Sequence, residues 1–355
     1  MSRFWNNKVK ELVPYTPGEQ PKDKKYIKLN TNEFPYSPSP MVEDIIKNYD
    51  FEDLRLYPDP DVSELKNEIA SFYGLNTENI FIGNGSDEIL AFAFMTYFNS
   101  GDKIYYPNIT YSFYPVYSDL FDLKPETIPL NKNFEIETDD YKNLDSGIIL
   151  ANPNAPTSIA LGRDQIEEII AANKDNIVII DEAYIDFGGE SVLELTKKYD
   201  NLLVIQTFSK SRALAGMRLG FAAGNKELID GLDKVKFSFN SYTINRLSIK
   251  AGTAAVKDSE YFLKTVEALI KTREKTKKVL KEYGFFVPDS KANFLFVSHS
   301  RISGEELYLK LKDSGILVRY FKKPGIDNFI RITIGTEKEM EIFEEKIKEI
   351  LKQNK

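Results

Sequence analysis

The sequence predicts an α/β fold: a large domain with a mostly parallel sheet covered by helices on both faces, a smaller α+β domain after it, and an N-terminal arm before it. Three observations predict this. From about Met41 onward, apolar runs of four to seven residues alternate with helical segments, as in strands buried on both faces. A long amphipathic run over residues 259–284, "SEYFLKTVEALIKTREKTKKVLKEYG", then marks a boundary, after which the order of elements changes. The first forty residues, with "LNTNEFPYSPSP", carry most of the local Pro, Asn and Ser density and read as an arm ordered by docking.

The elements follow in order. "SELKNEIASFYG" is a helix closed by Gly74, "NIFIG" a short buried strand, and "SDEILAFAFMTYF" an apolar helix capped by Ser86. Strand "DKIYYP", helix-like "SFYPVYSDLF" and strand "GIILA" come next. Helix "RDQIEEIIAAN" leads to strand "NIVIID", and a further helix is expected before strand "NLLVIQTF". Beyond the boundary helix lie strand "ANFLFVS", helix "GEELYLKLKDSG", strands "ILVRYF" and "NFIRITIG", and a closing helix. The expected division is an arm over 1–40, packing on the small domain or a partner subunit, a large domain over 41–258 and a small domain over 259–355.

Composition narrows the chemistry. A net charge of −7 with no strongly basic stretch argues against nucleic acid and membrane-surface partners. No stretch approaches the length of a membrane span and the N-terminus has no apolar leader, so a cytoplasmic protein is the default expectation. With no cysteine and a single histidine, His299, thiolate catalysis, disulfides and multi-histidine metal sites are excluded, and no metal is expected. His299 ends a strand-like run and reads as structural. Difficult chemistry then falls to an organic cofactor.

In sheets of this kind, ligands sit beyond the carboxyl ends of the strands. Five consecutive predicted strands deliver "GNGSDE", "PNITY", "NPNAPT", "DEAY" and "SK" to one rim. Together these groups suit pyridoxal 5′-phosphate. Lys210 would anchor it through its ε-amine, although a loop lysine is ordinarily a solvated one. Asp181 would pair with the protonated ring nitrogen; an Asp after a strand also serves as a helix N-cap. Asn154 and Tyr184 would hydrogen-bond the phenolic oxygen, while "NPN" is equally a turn signal. Gly85, Ser86 and Asp87, opening a helix, offer backbone N–H groups and a positive dipole end to the phosphate. Ser209 and Arg218 would complete that cup, and Tyr111 would stack on the ring, though with 20 tyrosines in the chain plain core packing competes.

"FSK" with "GMRLG", "NPNAPT" and "DEAY", in this chain order, resemble the fold-type I pyridoxal-phosphate enzymes of the class I/II aminotransferases, and the likeness spans Asn30 to Arg331. The resemblance implies transamination between an amino donor and a 2-oxo acid. It also implies a homodimer with active sites at the subunit interface, where Tyr57 reaches the neighbouring subunit's cofactor phosphate. It assigns Arg331, and Arg319 beside it, to the substrate carboxylate or phosphate, with Arg319 also readable as a solvated strand residue. Tyr15 and Asn32 would line the substrate pocket from the arm. Ser158 replaces a usual glycine, and Ser211 with Arg212 replaces a small–aromatic pair. A decarboxylase shares Lys210, Asp181, Asn154 and Tyr184, so these motifs leave the bond broken at Cα open, and the donor with it.

Overall fold

The computed structural model describes residues 2–353. Its strands are β1 (Ile27–Leu29), β2 (Ile80–Gly83), β3 (Lys103–Pro107), β4 (Lys124–Ile128), β5 (Gly147–Ala151), β6 (Val178–Asp181), β7 (Leu202–Thr207), β8 (Gly220–Gly224), β9 (Phe285–Phe286), β10 (Phe294–His299), β11 (Ile316–Tyr320) and β12 (Ile330–Thr333). The helices are α1 (Asn7–Glu11), α2 (Pro40–Lys47), α3 (Ser63–Tyr73), α4 (Gly85–Tyr97), α5 (Phe113–Leu120), α6 (Arg163–Ala172), α7 (Lys226–Phe239), α8 (Arg246–Lys257), α9 (Ser259–Glu282), α10 (Gly304–Asp313) and α11 (Glu337–Gln353).

A seven-stranded sheet runs β2-β8-β7-β6-β5-β3-β4, with β8 alone antiparallel to its neighbours. The period-two alternation of strand side chains explains why its apolar runs are continuous. Ile148, Leu150, Val178, Ile180 and Val204 point to one face, where they meet Leu65 and Ile69 of α3 and Ile166 and Ile170 of α6. Ile149, Ile179, Leu203 and Ile205 point to the other, against Leu90 and Phe94 of α4, Tyr114 of α5 and Leu232 of α7. The central strands β5, β6 and β7 therefore bury both sets of side chains, at roughly 1.5–3 kcal/mol for each large one.

A second sheet runs β1-β11-β12-β10-β9. Leu295, Val297, Val318 and Ile332 pack against Leu269 of α9, Leu311 of α10 and Phe343 and Ile347 of α11. β1 pairs in parallel with β11, Ile27 opposite Ile316, so part of the N-terminal forty residues is a strand of this sheet. The sheet's other face turns towards the large sheet's loops: Phe294 packs with Ala155 and edge-on to Tyr184, and Phe296 stacks on Phe329 beside Ile109. That contact closes a cleft between the two sheets.

Three expectations need correction. No α-helix joins β6 to β7; two 3₁₀ turns, Ile185–Phe187 and Leu193–Lys197, make the connection, because Gly188 and Gly189 interrupt the run after one turn. Ser86 is not the cap of α4. Asn84 holds that position, and its N–H donates to Glu88 Oε2 (2.7 Å). The strands feeding the rim are also not consecutive in the chain, since β4 intervenes between β3 and β5. "KPETI" is an exposed edge strand containing a proline, so it carries no apolar run to betray it. His299 is buried, its Nδ1 accepting from Arg301 N–H and its Nε2 bonded to the Tyr283 carbonyl, as befits a structural residue.

Candidate active site

A cavity of about 380 Å³ lies between the sheets at the carboxyl ends of β2, β6 and β7. Its walls include Ser86, Asp87, Tyr111, Asp181, Tyr184, Ser209, Lys210 and Arg218 from the large-sheet side, and Tyr15, Asn32, Arg319 and Arg331 from the arm and small sheet.

At its floor Asp181 ends β6. Its Oδ2 accepts from Tyr114 Oη (2.9 Å) and its Oδ1 from Ala183 N–H (3.1 Å). Burial pushes the carboxyl up to about 6, against the downward pull of those two donors and of Lys210. No cation lies within ion-pair distance of it among the described residues. The cavity thus holds a buried acid whose missing complement is a positive group.

Lys210 follows β7. Its Nζ makes no hydrogen bond or ion pair among the described residues and lies 5.6 Å from the Tyr184 ring centre. The Tyr184 hydroxyl accepts from Asn32 Nδ2 (2.9 Å), which leaves its own proton to donate. Asn32 is held in turn by Thr333, whose Oγ1 accepts from its N–H and donates to its Oδ1.

At one end α4 begins at Gly85, and the first N–H groups of a helix have no intrahelical partner. A Cβ on Gly220 would stand 2.7 Å from Ser86 N, and one on Gly85 2.7 Å from Arg218 Nη2, so glycine is what lets strand, helix start and guanidinium converge. Arg218, itself in the left-handed region at φ 55°, reaches Asp87 Oδ2 at 3.4 Å. The other Asp87 oxygen accepts from Tyr111 Oη (2.9 Å), whose acidity burial and that carboxylate suppress. Free N–H groups, a serine pair and an arginine suit a phosphate; the uncompensated acid suits a ring cation; the unpaired amine suits a carbonyl. On these observations the residues present fit pyridoxal phosphate.

At the other end Arg331 has its Nε shielded from solvent without a partner, while an Nη2 proton goes to the Asn30 carbonyl (3.0 Å). Burial pulls its guanidinium down from the ordinary value, and no carboxylate pairs with it among the described residues. Arg319 donates to the Thr16 and Pro17 carbonyls, both at 3.3 Å, and so holds the arm that carries Tyr15. Tyr15 stacks on Phe113 at 4.4 Å. Arg319 is half-buried, with its guanidinium bonded to the arm.

Two anticipated residues stand apart. Asn154 is buried but does not line the cavity: Nδ2 donates to the Ile109 carbonyl and Thr157 Oγ1, and Oδ1 accepts from Thr110, so its amide is spent on the turn. Tyr57 is 77% exposed, stacked on Tyr242 away from the cavity. Conversely, Tyr114, the hydroxyl that orients Asp181, was not anticipated. Its signal is a tyrosine three residues after Tyr111 on the inward face of α5, a pattern hidden by the abundance of tyrosine.

Comparison with known proteins accords with this geometry. The family "Aminotransferase class I and II" matches residues 24–347. A relative named histidinol-phosphate aminotransferase from Brachyspira hyodysenteriae is 68% identical over 353 residues, covering 99% of this chain and all of that one. Among solved structures, the histidinol-phosphate aminotransferase of Clostridium acetobutylicum is 26% identical at a TM-score of 0.84, over 91% of this chain and 98% of that one. That of Sinorhizobium meliloti, in complex with pyridoxal-5′-phosphate, aligns at a TM-score of 0.90 with 21% identity over 99% of both chains, a likeness of fold. With the match running through nearly the whole chain and across both walls of the cavity, this protein belongs to the class I and II aminotransferases.

Proposed function

We propose that the protein transfers the amino group of L-histidinol phosphate to 2-oxoglutarate, giving imidazole acetol phosphate and glutamate, with pyridoxal phosphate bound in the cavity. The observation that carries the reading is the pairing of opposites across one cavity. Lys210 and the unneutralised Asp181 stand at one end, and the Arg331 guanidinium, unmatched by any acid, stands at the other beside Arg319. The near-full-length relatives named for this activity support the choice of donor.

When bound, pyridoxal phosphate supplies a carbonyl that holds the amino group and a ring that accepts the electrons left at Cα. Gly85, Ser86, Asp87, Ser209 and Arg218 would hold its phosphate, Tyr111 would cover the ring, and Tyr184 would donate to the phenolic oxygen. The place of Asn154 in this set requires its amide to exchange a turn hydrogen bond for the ligand. Asp181 would pair with the protonated ring nitrogen. Lys210 Nζ would hold the cofactor and would serve as the acid/base group that takes the proton from the donor Cα and returns it. Arg331 and Arg319 grip the donor phosphate or the acceptor carboxylate as planar, charge-assisted partners. Asn32 and Tyr15 close the cavity from the arm.

The same reading makes residues 41–258 and 259–355 the two domains and the active unit a homodimer. Phe51, Leu54, Leu56 and Tyr57, with Phe239 and Tyr242, expose apolar area of the kind a second copy covers, and Tyr57 would then serve the neighbour's phosphate. Single-turnover mixing of the loaded enzyme with histidinol phosphate, phenylalanine and threonine phosphate tests the donor. Histidinol phosphate is expected to bleach the yellow form. Release of carbon dioxide from threonine phosphate would transfer the chain to the lyases, and reaction with phenylalanine alone would make it an aromatic transaminase.

A further inference from the structure

The loop that carries Lys210 is fastened from behind by residues that none of the above chemistry uses. Ser209 and Lys210 face the cavity, whereas the next two side chains turn the other way. Ser211 Oγ donates to Asp186 Oδ2 in a short hydrogen bond. Arg212 runs into a cage of Phe262, Phe72 and Phe208, its guanidinium carbon 4.2, 5.0 and 5.8 Å from their ring centres, and its Nη1 donates to the Ala255 carbonyl (2.7 Å). Backbone hydrogen bonds close the loop upon itself, from Ala213 N–H to the Lys210 carbonyl and from Leu214 N–H to that of Phe208.

Asp186 belongs to the other half of the site. It lies in the 3₁₀ turn after β6, five residues past Asp181 and two past Tyr184. Ile185 N–H donates to the Glu182 carbonyl and Phe187 N–H to that of Tyr184, so the turn is continuous with the strand end. The Ser211–Asp186 hydrogen bond therefore joins the segment carrying the acid and the phenol to the segment carrying the amine. Neither of its members lines the cavity. Asp186 is half-buried, and desolvation holds its carboxyl above the usual range while Ser211 and Arg212 draw it back. A carboxylate kept in such a place at a desolvation cost has more than a filling role.

We propose that Asp186 and Ser211 are positioning residues, a hydrogen-bonded strut that fixes Lys210 Nζ relative to Asp181 and Tyr184, with Arg212 as its aromatic-boxed footing. This inference rests on the proposed roles of Lys210 and Asp181. A strut acts through one bond, so breaking it from either side has the same effect.

The test measures the pyridoxal phosphate dissociation constant, the rate of borohydride-trapped labelling of Lys210 in the apoprotein, and kcat and KM separately. It uses wild type, Ser211→Ala, Asp186→Ala, Asp186→Asn and the double alanine variant. Each single alanine variant is expected to weaken cofactor binding and lower kcat about tenfold, with donor KM within about twofold. The double variant should match the singles instead of multiplying them. Asp186→Asn, whose amide oxygen can still accept the Ser211 proton, should bind cofactor within about threefold of wild type. Multiplicative losses, or lowered melting temperature with unchanged cofactor binding and Lys210 labelling, would overturn the strut. If Asp186→Ala does not fold, Ser211→Ala alone decides by the same readouts. A wild type that takes up no pyridoxal phosphate would instead sink the functional reading, which separates the two failures.

Discussion

On the proposed function Lys210 carries the chemistry, and Lys210→Ala should lower turnover by at least about 10²–10⁴-fold. Dialysis equilibrium should still detect bound cofactor, now removable and no longer fixed by borohydride, because the phosphate cup is untouched. Asp181 yields a prediction about stability. Its carboxyl titrates at about 6 in the folded chain against an ordinary 3.8, so the folded state holds this proton more tightly than the unfolded one. Raising the pH from about 4 to about 6 therefore costs the apoprotein up to about 3 kcal/mol at this group, and below about pH 4 it costs nothing. Urea unfolding of apo Asp181→Asn against apo wild type should show the variant's relative gain growing across that window and constant above it, while its turnover falls about 10²–10³-fold. At the opposite end, Arg331→Met removes a guanidinium that no acid neutralises. Donor KM should rise about 10–100-fold, the loss of a charge-assisted contact, and apoprotein melting should show no loss of stability.

At the scale of elements, the meeting of β8 with the start of α4 shapes the end of the cavity proposed to hold the phosphate. Gly220→Ala would put a methyl 2.7 Å from Ser86 N and 2.8 Å from the Gly85 carbonyl carbon, both backbone atoms that cannot swing aside. Titration with inorganic phosphate and with pyridoxal phosphate should both show affinity reduced by about tenfold or more, for an overpacking cost of about 1–3 kcal/mol. The sequence discloses these elements unevenly. β5, β6 and β7 are legible because sheet strands covered on both faces must be apolar throughout, and α3 because Gly74 closes it in the left-handed region. β4 and β1 are not, since "KPETI" and "IKL" hold no continuous apolar run and pair by backbone groups that any residue supplies. The missing helix after β6 shows the converse: "YIDFGGESVLELTKKY" has helical residues in plenty, but the glycine pair and the buried Glu182, which accepts from Val192 N–H (2.7 Å), draw the chain into turns.

For the whole molecule, the cavity exists because the arm and the second sheet fold back over the large sheet's rim, and the proposed dimer is tested through Tyr57. Were Tyr57 to serve its own cavity, it would line it; it is instead exposed on an apolar face. Coexpression of Tyr57→Ala with Lys210→Ala should restore about a quarter of wild-type activity. Random pairing makes half the dimers mixed, and one site of each mixed dimer receives both native residues. Failure to recover activity above the sum of the two parents would place Tyr57 outside the neighbouring site.

Taken alone, the sequence determined which chemistry is available and on which rim it gathers. Without cysteine and with one structural histidine, an amine after β7, an acid after β6 and a glycine-opened helix after β2 pointed to a cofactor. Strand periodicity is local, and so are the residues that follow each strand. Tertiary structure decided what depends on groups far apart in the chain. It showed that Asn154 spends its amide on a turn, that Tyr114 orients Asp181 across 67 residues, and that Arg319 grips the arm across some 300. Hydrogen-bond partners and burial are set by packing, which no short stretch contains.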